Sequence, residues 1–287
     1  MHDHDLGLGA DLERMLAQPA SRRQSLRWLL AGAVAGPGLL PLAGCGGGSD
    51  GSYGISTSTT TTGSGSTGST SASCAVIPEE TGGPYPGDGT NRNANGVANA
   101  LVLSGIVRSD IRASIAGASG VAAGVPLTIR LQLVNVAGGC TLAPGAALYL
   151  WHCTREGGYS MYSNGIVGEN YLRGVQEADS EGWVTFTTIF PGCYDGRMPH
   201  VHFEVYPSLA KAGSAANRVK TSQFTFPLAT LNEAYTASGY GSSVSNLSRI
   251  SYANDNVFSD GTSLQMASVT GNATQGYVAT LVVGVSL

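Results

Sequence analysis

The sequence predicts an all-β fold, an antiparallel β-sandwich with long loops and little helix, and three observations carry that expectation. From about residue 74 onward, short runs of β-branched or alternating apolar residues recur along the chain. Glycine and proline turn signals separate most of them, at Gly138-Gly139, Pro144-Gly145, Gly157-Gly158, Glu181-Gly182 and Pro191-Gly192. Only Leu228–Gly239 has the character of a short helix, starting near Thr230. Many short strands with so little helix suit two stacked sheets better than an alternation of strands and helices.

In chain order the expected strands are Ala100–Val107, Leu127–Val136, Ala147–Cys153, Trp183–Ile189, His200–Tyr206, Thr221–Phe226 and Tyr277–Val285. Each is a run of alternating or β-branched apolar residues. The turn Asp179-Ser180-Glu181-Gly182 reads as a hairpin with no catalytic duty. Ser242–Asn272 is polar and poorly patterned, and no element is assigned to it. These strands place one domain over residues 74–287, within the size range of single β-sandwiches.

The chain before residue 74 is of a different kind. Arg22-Arg23 precedes an apolar run from Trp28 to Leu42, which reads as a twin-arginine export signal. The run is too short and too interrupted for a comfortable membrane span, which needs about 20 apolar residues. It closes on Leu42-Ala43-Gly44-Cys45, similar to a bacterial lipobox, so residues 1–45 are expected to direct export and lipid attachment at Cys45. A membrane-anchored protein facing the periplasm or the cell exterior follows. Residues 46–73 are almost wholly Gly, Ser and Thr, a composition that forms a flexible tether. Net charge is −4 and charged residues make up only 12% of the chain, which gives no basic surface for a nucleic acid.

With Cys45 assigned to lipid, Cys74, Cys140, Cys153 and Cys193 remain for two disulfides in an exported domain. A zinc site would call for a Cys-x-x-Cys pair, and none exists. The expected pairing is Cys153 with Cys193, because both flank the candidate metal residues.

Those residues fall in two blocks. In the first, His200 and His202 are two apart on a strand, so both imidazoles point to one face and form a ready chelate. The turn at Pro191-Gly192 sets Tyr194 near the start of that strand. In the second block, Ala147–Cys153 runs into Gly157-Gly158, which presents Tyr159 at the exit. Two phenolates and two imidazoles make a hard, anionic set suited to a trivalent ion. Taken singly, the histidines also read as edge-strand residues, the tyrosines as turn-packing aromatics and Arg197 as a surface charge. Tyr85, Trp151, His152 and Tyr162 read as core or pocket wall.

Together the blocks resemble the intradiol ring-cleavage dioxygenases, the family of protocatechuate and catechol dioxygenases, in an exported lipoprotein branch. The resemblance rests on Leu148-Tyr149-Leu150-Trp151, on Glu156-Gly157-Gly158-Tyr159-Ser160 and on Leu172-Arg173-Gly174-Val175-Gln176. It continues through Asp179-Ser180-Glu181-Gly182, Pro191-Gly192-Cys193-Tyr194 and Arg197-Met198-Pro199-His200-Val201-His202. Thr81-Gly82-Gly83-Pro84-Tyr85-Pro86 matches the family's entry segment.

The resemblance implies a ferric ion held by Tyr159, Tyr194, His200 and His202, with a small aromatic diol and O2 as substrates. It implies ring opening between the two hydroxyl-bearing carbons to give a muconate-type product. Tyr194 would leave the metal and hold a substrate proton, and Arg197 would stabilise negative charge building on the ring. Only Asp195 and Gly196 separate Tyr194 from Arg197, where the cytoplasmic enzymes carry a longer excursion, so substrate preference does not transfer. The competing expectation is a non-catalytic sandwich that binds an iron–catecholate or a surface ligand, and oxygen uptake with a catechol separates the two.

Overall fold

The computed structural model describes residues 75–287. The export signal, Cys45, the tether and Cys74 lie outside the described residues. The strands are β1 (Asp88–Asn93), β2 (Gly96–Asn99), β3 (Pro126–Asn135), β4 (Thr141–Leu142), β5 (Ala147–Trp151), β6 (Arg173–Glu177), β7 (Trp183–Ile189), β8 (His200–Tyr206), β9 (Lys220–Thr225), β10 (Ser268–Asn272) and β11 (Gly276–Val285). Two short helices, α1 (Leu228–Ala234) and α2 (Gly241–Leu247), lie between β9 and β10.

One sheet runs β10-β11-β3, with β7 and β4 sharing the other edge of β3; the second runs β6-β5-β8-β9, and β1-β2 is a separate hairpin. The all-β expectation holds. Among the described strand pairs one departs from antiparallel pairing, because β11 lies parallel to β3 from Tyr277 opposite Leu127 to Val285 opposite Asn135.

The period of two decides which side chains meet between the sheets. Leu127, Ile129, Leu131 and Leu133 of β3 share a core with Leu148 and Leu150 of β5 and with Val201, Phe203 and Val205 of β8. Slipping β8 by one residue would exchange those three for His200, His202, Glu204 and Tyr206. Each apolar side chain lost from the core would cost about 2 kcal/mol, before any cost of burying the polar ones, so the register is fixed.

The outer face of the β6-β5-β8-β9 sheet is also buried, and this matters most for the site. Ala147, Tyr149 and Trp151 join Tyr159, Leu101 and Ile106 in a second cluster, against which Tyr85, Met161, Tyr162 and Tyr194 pack. Every residue of β5 and β8 is buried as a result.

Four sequence expectations need correction. Ala100–Val107 is not a strand but a series of turns, with Leu103 N–H donating to Ala100 and Ile106 N–H to Leu103. Its apolar residues do not alternate; Ala100, Leu101 and Ile106 cover the outer face, and among the described residues only a single parallel bridge, Val107 opposite Val175, touches the edge of β6. The expected helix starts at Leu228, after Pro227, rather than near Thr230. The Asp179–Gly182 turn is present, but it carries the chain from β6 to β7, in different sheets, so it closes no hairpin.

The fourth correction concerns the cysteines. Cys140 is disulfide-bonded, while Cys153 and Cys193 are buried free thiols. Cys153 faces the outer cluster, its Sγ against the Gly192 carbonyl at 3.5 Å. Cys193 faces the inter-sheet core, its Sγ against the Arg197 carbonyl at 3.4 Å. The two thiols serve different packing layers.

Beside the outer cluster, Tyr206 donates a 2.6 Å hydrogen bond to Glu204, and Arg218 approaches both Glu204 and Asp88 at 3.7 Å. Burial first, and then the neighbouring Asp88, push the Glu204 carboxyl up to about 8 from 4.5. A raised carboxyl keeps its proton more readily when folded, so its contribution is whole below about pH 4.5 and is lost as the pH rises to about 8. Glu204→Gln, which keeps an acceptor for Tyr206, is therefore expected to be more stable than the wild type at pH 8.5 and to lose the advantage at pH 5. Urea unfolding at the two pH values checks this; an unchanged pH dependence in the variant would remove Glu204 as its source.

Candidate metal centre

The site is built on β8. His200 and His202 lie on its outer face, and strand pairing sets Trp151 opposite His202 and Gln223 opposite it on the other side. The Trp151 indole stacks on His202 with centroids 4.9 Å apart and planes within 3°. His200 Nδ1 lies 2.6 Å from the Met198 carbonyl, which assigns the proton to Nδ1 and leaves Nε2 as a lone pair. Its Nε2 is 3.0 Å from His202 Nε2.

Two loops bring the tyrosines to this point. After β5, Thr154 N–H bonds the Gly158 carbonyl at 2.7 Å and Gly157 N–H returns to Thr154 at 3.0 Å. Gly157 has φ +91°, and a Cβ there would stand 2.9 Å from the Cβ of Tyr194. Only glycine allows the two tyrosine loops to cross so closely. The Tyr194 loop is pinned from α2, where Ser243 Oγ accepts from Cys193 N–H at 2.9 Å and Asn246 Nδ2 donates to the Cys193 carbonyl at 2.7 Å. The phenol oxygens of Tyr159 and Tyr194 then lie 3.4 and 3.3 Å from His200 Nε2. All four residues singled out in the sequence converge on one point.

The electrostatics suit a cation there. Burial, followed by the charge of Arg197, holds His200 well below the ordinary imidazole range; burial, His200 and Arg197 do the same to His202. Both rings are therefore neutral donors. Burial and then Tyr194 raise the Tyr159 phenol well above its ordinary value, so it stays protonated unless a strong positive charge replaces the proton. Among the described residues no group of three or more His, Cys, Asp or Glu converges for a metal. A metal at this point depends on the phenols, and the set of two imidazoles and two phenols fits a hard, high-charge ion such as ferric iron.

Arg197 is buried beside them. Its Nε donates to Asp255 Oδ2 at 2.9 Å and its Nη2 to Gln223 Oε1 at 2.8 Å. Burial disfavours its charge, but Tyr194 and Asp255 more than offset that, and its pKa lies above the ordinary arginine value. Gln223 and Asp255 were not found in the sequence. Gln223 is identified only by strand pairing. Asp255 lies in the stretch to which no element was assigned; its one local signal is an Asp ahead of Val257-Phe258, whose N–H groups it caps at 2.8 and 3.0 Å.

The expected wall residues are where the sequence put them. Tyr85 lies 5.1 Å from both Tyr159 and Tyr162, centroid to centroid. His152 is held between Thr188 Oγ1 at 2.7 Å and the Cys153 carbonyl at 2.8 Å, away from the site.

Comparison with known proteins agrees with the resemblance. A family model described as Dioxygenase matches residues 109–219, a segment that contains Tyr159, Tyr194, Arg197, His200 and His202. An intradiol ring-cleavage dioxygenase from Tetranychus urticae is 24% identical, with TM-score 0.56, covering 74% of this chain and 95% of its own. The dioxygenase domain of a carbohydrate-binding fusion from Streptomyces sp. SirexAA-E is 22% identical, with TM-score 0.45, covering 74% and 99%. A 3-chlorocatechol 1,2-dioxygenase from Rhodococcus opacus 1CP is 18% identical, with TM-score 0.41, covering 64% and 66%. No curated protein sequence matches the chain. The Tetranychus likeness shows the fold, and the family match covers the segment that carries the candidate metal residues.

Proposed function

We propose that this chain is an exported, lipid-anchored intradiol dioxygenase that opens a catechol-type ring between its two hydroxyl-bearing carbons, with O2, to a muconate-type product. The observation that carries the proposal is the convergence of Tyr159, Tyr194 and His202 on His200 Nε2, within 3.0–3.4 Å. Tyr159, Tyr194, His200 and His202 would hold Fe(III). Bound there, the iron would supply Lewis acidity that draws a catechol dianion and activates its ring toward oxygen.

The remaining work falls to the chain. Tyr194 is only partly buried, and its Oη would take a substrate proton. Arg197 offers a fixed positive charge where the ring oxygens become negative, the preorganised form of electrostatic stabilisation. Trp151 fixes the plane of His202. Tyr85 packs against Tyr159 and is backed in turn by Tyr162.

The test is a visible absorption spectrum of the purified domain after loading with ferric iron. Tyrosinate-to-iron charge transfer is expected to colour the protein, and the band is expected to shift on adding catechol, with oxygen uptake following. Stoichiometric iron without colour would deny tyrosinate ligation and end this reading. Colour and a shift without oxygen uptake would favour capture of an iron–catecholate over its cleavage.

A further inference from the structure

Arg197 is a buried cation whose placement depends on a residue far along the chain. Of its three guanidinium nitrogens, Nε donates to Asp255 and Nη2 to Gln223, while Nη1 makes no hydrogen bond among the described residues. Two different partners on adjacent edges of a planar group fix its rotation as well as its position. Gln223 is itself held, since its Nε2 donates to the Thr81 carbonyl at 2.8 Å.

Asp255 is more tightly held still. It is 0% exposed, and both of its oxygens are fully engaged. Oδ2 accepts from Arg197 Nε at 2.9 Å and from Met198 N–H at 2.7 Å. Oδ1 accepts from Val257 and Phe258 N–H at 2.8 and 3.0 Å. The Phe258 ring, brought in by the same turn, lies 5.9 Å from the guanidinium and 6.5 Å from the His200 ring. One carboxylate thus fixes the Arg197 cation, the backbone two residues before His200, and an aromatic ring beside both.

A carboxylate this close also weakens the field of the guanidinium at a distance. Its benefit must then lie in placement, because a buried arginine held by Gln223 alone would be free to swing and would lack a counter-charge. We propose that Asp255 is a positioning residue of the site: it acts through Arg197, committing Nε so that Nη1 serves an oxygen of the bound catecholate. The proposal rests on the catechol-binding reading of the site.

The experiment uses the iron-loaded protein and measures catechol affinity by spectral titration without oxygen, so that turnover is not needed. Asp255→Asn keeps an acceptor for Val257 and Phe258 but removes the charge at Arg197 and the acceptor of the Met198 N–H. It is expected to keep its iron and colour, to bind catechol about 10-fold more weakly, and to lose about 100-fold in kcat/KM once oxygen is admitted, the scale of a roughly 1 Å misplacement. In an Arg197→Met background the same substitution is expected to leave catechol affinity unchanged within about 2-fold, since the guanidinium it positions is gone. An equal loss in both backgrounds would overturn the proposal, because a merely structural role does not need Arg197. If Asp255→Asn alone does not fold, the pair Arg197→Met with Asp255→Asn removes both charges and is compared with Arg197→Met; equal affinities support the proposal and a further loss overturns it. A wild type that takes up iron but shows no shift with catechol overturns the site reading and this proposal together, whereas a normal wild type with uncoupled variants overturns only the latter.

Discussion

His200→Ala is expected to lose ferric iron and, with it, all measurable ring cleavage. His200 Nε2 is the hub of the site, 3.0 Å from His202 Nε2 and 3.4 and 3.3 Å from the Tyr159 and Tyr194 oxygens. Removing it takes away one donor of four and the atom toward which the other three are aimed. Loss of a residue that merely supports a metal ligand costs about 10–100-fold in affinity, and loss of the ligand itself should exceed that. The fold should survive, because the inter-sheet core is carried by Val201, Phe203 and Val205 on the opposite face of β8. Iron content after gel filtration and the intensity of the charge-transfer band provide the measurement. A soluble variant with full iron and full colour would remove His200 from the site.

Arg173→Met is expected to be the most damaging change to stability. Arg173 is fully buried, and its guanidinium serves acceptors from separate stretches of chain. Nη1 donates to the Pro86 carbonyl at 2.7 Å and to Tyr149 Oη at 3.1 Å; Nη2 donates to the carbonyls of Tyr85 and Ser160, both at 2.9 Å; and Nε donates to Ser160 Oγ at 3.1 Å. Methionine fills much of the space but removes all five bonds, leaving the Tyr85 and Ser160 carbonyls without that donor while the Pro86 carbonyl keeps only the Tyr149 hydroxyl. At about 1–3 kcal/mol for each buried group left unsatisfied, and allowing for rearrangement, the loss should be about 4 kcal/mol. For a domain of this size that corresponds to a fall of roughly 10 °C in Tm. Arg173→Lys should recover little, because a lysine has no planar fork to reach acceptors on several sides. Thermal unfolding of the two variants checks both statements; a Tm within about 2 °C of the wild type would show that these bonds contribute little net stability.

Much of the fold was legible because a strand that separates two environments must alternate. β3, β5, β7, β8, β9 and β11 all fall within or close to the expected runs. The run Ala100–Val107 misled because apolar content without alternation also describes a segment that lies across a face and covers it. β10, α2 and the parallel pairing of β3 with β11 were not legible: the first two are polar elements, and the third depends on which edge of β3 is open when the last strand arrives. The free thiols Cys153 and Cys193 show the same limit, since proximity in sequence to one site did not place them in one packing layer.

The candidate site divides along a similar line. From residue order alone His200 and His202 share a face, because the side-chain period of a strand is two, and Tyr159 and Tyr194 follow glycine turns that could present them. Residue order does not say whether that face meets water. Tertiary structure decided that the face is covered, that Tyr159 reaches His200 across 41 residues of chain, that Ser243 pins the Cys193–Tyr194 loop across 50, and that Arg197 finds Asp255 across 58. Local patterning fixes the direction of a side chain relative to its own strand. Its partners are set by which distant segments close over it, and that closure is decided by the packing of both faces at once.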